Sequence, residues 1–203
     1  MYVEAGVIGP ARCETGERST RHTVIVVGVV TALMAAAAWR EWPWWEYAFL
    51  SDGSSVAWLS SALLMANAAV ALSAALTRVL PLAAGSCLSA ALAFLAIDEQ
   101  FQVHEQFKSN VGGSGLGDAP TLLVGVGGVA GLVVFWRRLP TQTARALFAL
   151  AVLSGVFALW VDLGSPPVVV GRLEEGFEVV AESLFLCGLL ELARSQVQSA
   201  TER

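Results

Sequence analysis

Six stretches of this chain are long, apolar and almost free of charge, at about 22–39, 56–77, 79–101, 119–136, 143–163 and 175–193. That pattern limits the possible folds more than any other feature. A backbone amide in hydrocarbon has no water to bond, so a segment that crosses a bilayer must satisfy its own hydrogen bonds. A helix of roughly 20 apolar residues does so over the thickness of the core. The sequence therefore predicts an all-α, six-span transmembrane helical bundle. The competing reading, a soluble protein with buried central helices, needs polar surface to cover six such runs. Of 203 residues, 56% are hydrophobic and 14% charged, against about 25% charged in ordinary soluble domains. There is too little polar surface for the soluble alternative.

The first run follows a polar lead containing Arg12, Arg18, Arg21 and His22 and reaches Trp39. A cleavable signal has a shorter apolar core nearer the first residue, so this run is read as a retained span. The resulting organisation is a cytoplasmic segment at 1–21, a six-helix transmembrane domain at 22–194 and a cytoplasmic tail at 195–203. Six crossings return the chain to its starting side. Arg12, Arg18, Arg21, Arg78, Arg137, Arg138, Arg145, Arg194 and Arg203 would share the side of the termini, leaving Arg40, Lys108 and Arg172 on the other. Basic residues favour the cytoplasmic side of short loops, so both termini are expected there, in a bacterial-type plasma (inner) membrane. No basic patch suits a nucleic-acid partner.

The connections are short. "REWPWWEYAFLSDGSS" (40–55), with Trp39 just before it, brings Trp42, Trp44, Trp45 and Tyr47 to headgroup level. "TRVLPL" (77–82) reads as a tight turn with Pro81 near a helix start. Asp118 and Pro120 mark the start of the fourth helix. Within that helix Gly125, Gly127, Gly128 and Gly131 form a small-residue face for close packing inside the chain or in a homo-oligomer. Cys13, Cys87 and Cys187 have no zinc or redox spacing and read as small apolar fillers.

The chemistry gathers at one level. "AIDEQFQVHEQF" (96–107) ends the third run with Asp98, Glu99, His104 and Glu105. The fifth run ends at Asp162, and the sixth opens with Glu174, Glu175, Glu178 and Glu182. In a six-span topology all three ends lie at the extracytoplasmic face. At 100° per residue Asp98, Gln102 and Glu105 share one helix face, as do Glu175, Glu178 and Glu182. Glu99 stands about 100° from Asp98, and Asp98 and Glu105 are about 10 Å apart along the axis. Two subsites, or one cluster using a subset, are therefore expected.

Carboxylates at membrane depth are paired, protonated or metal-bound. Asp98, Glu99, His104, Glu105, Asp162, Glu175, Glu178 and Glu182 are accordingly the candidate metal ligands, for a divalent zinc, iron or manganese ion. Asp98, Glu105, Glu178 and Glu182 form the core of that set. The paired Glu-x-x-His motif of dinuclear bundle proteins is missing. Some of these residues also have plainer roles: Glu99, Glu174 and Lys108 as interfacial helix-end charges, His104 as a surface histidine, Asp162 as a cap, and Glu191 as a partner for Arg194. Asn67, in the middle of the second run, needs a buried partner. Isolated serines bond to their own preceding turn and carry little weight.

No nucleophile triad, phosphate loop, dinucleotide fingerprint or haem-attachment motif is present, so no catalytic residue is assigned. Three functions fit these residues. One is a metalloprotein that activates water or oxygen against an apolar, lipid-like substrate. Another is a proton or cation transporter using the same acids. The third is a structural or assembly subunit of a membrane complex.

Overall fold

The computed structural model describes residues 11–49, 54–103, 106, 119–136, 139–163 and 174–201. Their regular structure is helical: α1 (Ala11–Arg40), α2 (Ser55–Leu76), α3 (Leu82–Phe101), α4 (Ala119–Phe135), α5 (Gln142–Leu163) and α6 (Glu174–Thr201), with a 3-10 turn over Trp45–Ala48. The all-α expectation holds, but the count of six spans does not. Among the described residues four helices are long and apolar enough to cross a bilayer, over Arg21–Arg40, Ser55–Leu76, Leu82–Phe101 and Gln142–Val161.

The two remaining helices fall short for different reasons. The apolar part of α4 runs only from Leu123 to Val133, and its 17 residues reach about 25 Å against a core of about 30 Å. In contrast, α6 is long at 28 residues but carries Glu174, Glu175, Glu178, Glu182, Glu191 and Arg194. It lies against α5, α2 and α1, and that packing shelters its polar groups from lipid. Four helices assign no side of the membrane to the termini or to the acids, which the six-span count had placed on the cytoplasmic and extracytoplasmic sides. Residues 1–10 and 202–203 lie outside the described residues.

The α2–α3 hairpin is built from small residues. Ser54 caps α2 by accepting the Ala57 N–H at 3.0 Å. At the other end Arg78 takes a left-handed φ of 61°, and the Leu80 N–H returns to the Ala74 carbonyl at 3.0 Å, closing the tight turn expected at 77–82. Ala71 and Ala75 then meet Gly85 so closely that a Cβ on Gly85 would lie 2.6 Å from the Ala75 Cβ. Ser61 Oγ also donates across to the Ala96 carbonyl at 2.8 Å.

Contacts along α6 establish its neighbours and direction. Phe148 and Phe157 of α5 stack edge-on against Phe185 and Phe177, at 5.0 and 4.6 Å between centroids. Ser154 Oγ donates to the Phe177 carbonyl at 3.0 Å, so α5 and α6 are antiparallel. Gly188 admits the Phe148 ring, whose carbons would lie 2.9 to 3.1 Å from an added Cβ. Gly188→Ala should therefore displace that ring and destabilise the fold by about 1–3 kcal/mol, read as a lower thermal midpoint in detergent. From α1 and the 3-10 turn, Met34 and Phe49 close over Gly176, 3.5 and 3.7 Å from where its Cβ would stand.

The outward faces are apolar: Val29, Leu33, Met65, Leu72, Leu123, Leu153 and Trp160 are all exposed. An apolar surface of that extent suits lipid and not water. Trp39, Trp42, Trp44, Tyr47 and Trp58 are exposed around the end where α1 finishes and α2 starts, in keeping with an interfacial belt. The architecture is that of a multipass, all-α membrane-associated protein. Of the two roles expected for the glycine face of α4, close packing inside the chain is not seen among the described residues. A Cβ on Gly125, Gly127, Gly128 or Gly131 would meet nothing within 4 Å, and nothing in the fold shows an oligomer.

Candidate metal centre

Glu99 is half-buried, and its position around α3 turns it towards α6. Of the four buried residues of α3, Gly85, Leu92 and Ala96 share one face, with Gly85 and Ala96 against α2, and Asp98 lies on another. Measured from Gly85 at 100° per residue, Leu92 and Ala96 lie within about 20° and Glu99 at about 40°, whereas Asp98 lies about 140° away. Glu99 therefore continues the core face into the last turn of α3. Across from it, the first two turns of α6 present Glu175 and Glu178, three residues apart and on one side of the helix. Glu99, Glu175 and Glu178 each offer a carboxylate oxygen, and these atoms lie within 4.8 Å of one another.

Three carboxylates so close repel one another by of order 3 kcal/mol for each ionised pair at an effective dielectric of about 20. A divalent cation would reverse the sign of that term, because oxygens at this spacing can all reach one hard ion. The α6 N-terminus also favours negative charge on Glu174 and Glu175.

The other sequence candidates are placed differently. Asp98 is buried, at 4% exposure, but is not one of the three clustered groups. The uninterrupted helix assumed for a common face of Asp98, Gln102 and Glu105 stops before Gln102. Gln102 is left-handed at φ 51° and ψ 44°, its N–H caps the Asp98 carbonyl at 2.7 Å, and α3 ends at Phe101. His104 and Glu105 lie outside the described residues. Asp162 is in the last turn of α5, and its side chain is not among those described. The cluster as described is made of carboxylates alone, two from α6 and one from α3.

Glu182 lies one turn further along α6. The charged groups acting on it are Glu178, Glu99 and Glu175. Its Oε1 accepts the Ser60 hydroxyl at 2.7 Å, while its Oε2 is sealed from solvent with no hydrogen-bond partner. Ser60 is fully buried, and the expectation that an isolated serine bonds to its own preceding turn does not describe it, since its hydroxyl donates across to α6. Its position seven residues before Asn67 on the same α2 face was the available signal. Asn67 is fully buried too, and its Nδ2 donates to the Glu182 backbone carbonyl at 3.0 Å, so it has the buried interhelical partner expected of it. Ser60→Ala should lower stability by about 1–3 kcal/mol, since it removes a donor from a buried carboxyl oxygen. The thermal midpoint measures this, with cation binding at the three-glutamate cluster retained.

The fold and this cluster together define a class: a multipass helical membrane protein with a carboxylate centre capable of chelating a divalent ion. Residues 24–192 match the family described as "Domain of unknown function (DUF8692)". That match runs from the start of α1's apolar segment into the second half of α6, and the protein belongs to this family. No curated protein and no solved structure matches the chain.

Proposed function

We propose that the protein is a membrane metalloprotein that holds a divalent cation between α3 and α6 through Glu99, Glu175 and Glu178. In this reading the ion activates water against an apolar, lipid-like substrate. One observation carries the metal assignment: carboxylate oxygens from two helices lie within 4.8 Å of one another. A bound divalent ion would supply a hydroxide-like nucleophile at neutral pH and polarise a substrate oxygen. The protein's own contribution is to hold three acids together and to surround them with lipid-facing helices through which an apolar substrate would approach.

Of zinc, iron and manganese, manganese fits an oxygen-only donor set best. An imidazole from His104 would move that preference towards iron or zinc. In this reading Asp98, Glu105 and Asp162 supply further oxygen ligands or outer hydrogen bonds.

The decisive experiment is metal analysis of protein purified in detergent, followed by chelation and reloading. Mn2+ at about 100 times its Kd should stabilise the fold by about 2.7 kcal/mol, and the rise in thermal midpoint should disappear on chelation. Protein that carries no stoichiometric metal and shows no shift with Mn2+, Fe2+ or Zn2+ would sink the proposal.

Transport of a cation is the second reading, supported by the polar groups that continue inward through Ser60, Glu182 and Asn67. Beyond Asn67 the buried face of α2 consists of Ala68, Ala71, Ala74 and Ala75. Among the described residues that polar line stops within the bundle, which fits a closed binding centre better than a through-path.

A further inference from the structure

Asn67 has a fixed orientation and an unmet need. Its Nδ2 donates to the Leu63 carbonyl and to the Glu182 carbonyl, both at 3.0 Å. Turning the amide over would set Oδ1 against two carbonyl oxygens, so the hydrogen-bond network decides which atom is which. Oδ1 is consequently a buried acceptor with no donor, on a residue that is 0% exposed. Glu182 shows the same deficit on the same interhelical contact. Oε1 is satisfied by Ser60 at 2.7 Å, Oε2 has no donor, and the charges acting on the carboxyl are acids. Native interiors leave few such groups unmatched, and here two occur on residues bonded to each other.

A carboxylate oxygen and an amide carbonyl oxygen are the donors that hard divalent cations take. We propose that Glu182 Oε2 and Asn67 Oδ1 form an inner, oxygen-lined cation subsite beneath the three-glutamate cluster, so that the centre takes two divalent ions. This rests on the metal-centre reading above. Glu178, one turn before Glu182 on the same face of α6, belongs to the outer position. Ser60 orients Glu182 so that Oε1 is occupied and Oε2 is left for the ion.

The test is a Mn2+ titration of the full-length protein in detergent after chelation, with bound metal counted directly and the Mn2+ electron paramagnetic resonance spectrum recorded. The wild type should take up two equivalents and show a spin-coupled spectrum. Asn67→Leu and Glu182→Gln should each take up one equivalent and give the spectrum of isolated Mn2+. Asn67→Asp should keep two and bind the inner ion at least tenfold more tightly, a gain that damage to the fold cannot produce. One equivalent in the wild type overturns the inner subsite and leaves the outer centre standing, as do two equivalents unchanged in both Asn67→Leu and Glu182→Gln. An Asn67→Asp variant with no tighter inner ion also overturns it. No bound equivalent in the wild type overturns the metal-centre reading together with the subsite.

Discussion

Replacing Glu175 and Glu178 together by glutamine should weaken Mn2+ binding by more than about 100-fold, because groups that merely support metal ligands are already worth roughly 10–100-fold. A glutamine carbonyl still offers an oxygen, but the charge that holds a divalent ion is lost from two of the three clustered positions. The same change should raise the thermal midpoint of the metal-free protein, since it relieves repulsion of order 3 kcal/mol per ionised pair. Without metal the variant should thus melt above the wild type, and with saturating Mn2+ the order should reverse. That crossing separates a binding centre from a structural acid network, in which the substitutions would lower the midpoint under both conditions. Unchanged Mn2+ affinity in the double variant would remove these two residues from the centre.

The second large effect concerns packing. Gly85→Leu should destabilise the protein by at least about 3 kcal/mol, towards the upper range for overpacked cores. A Cβ at Gly85 already falls 2.6 Å from the Ala75 Cβ and 3.3 Å from the Ala71 carbonyl oxygen, so a leucine forces α3 away from α2. Separation there would also strain the Ser61 bond to the Ala96 carbonyl, one turn before Glu99, and should weaken cation binding as well. Gly127→Leu in α4 is the matched control. Nothing lies within 4 Å of its added Cβ, and its effect should stay within about 0.5 kcal/mol. Thermal unfolding of both variants in one detergent makes the comparison, and equal losses would contradict the close α2–α3 contact.

The difference between those two glycines shows where sequence reasoning reaches its limit. Both occur in apolar helices, and the sequence favours α4, where four glycines cluster, as the packing face. The close approach occurs instead at a lone glycine, because the short 77–82 turn forces α3 back along α2, whereas residues 102–118 separate α4 from α3. Span counting failed for a related reason. Hydropathy along a run cannot tell lipid-facing residues from those sheltered by neighbouring helices. The acids of α6 are tolerated because α1, α2 and α5 pack around that helix.

The acidic centre was partly readable. Glu175, Glu178 and Glu182 share a face through spacing alone, and the meeting of the third and sixth apolar segments was expected from chain order. Spacing placed Asp98 on a stripe with Gln102 and Glu105 that assumed a helix continuing through residue 105, whereas α3 ends at Phe101 and it is Glu99 that clusters with Glu175 and Glu178. Referring α3 to Leu92 and Ala96 would have selected Glu99.

Taken alone, the sequence determined an all-α membrane-associated architecture and the helix segments within it, because apolar length and backbone self-satisfaction are properties of single segments. It also determined the common face of the α6 glutamates, which follows from helical period. Only the tertiary structure decided that Glu99 joins them, that Ser60 and Asn67 hold Glu182, and that four helices rather than six qualify as spans. Each of these depends on which face of one helix meets which face of another. That is settled by side-chain volume and hydrogen bonding between segments far apart in the chain.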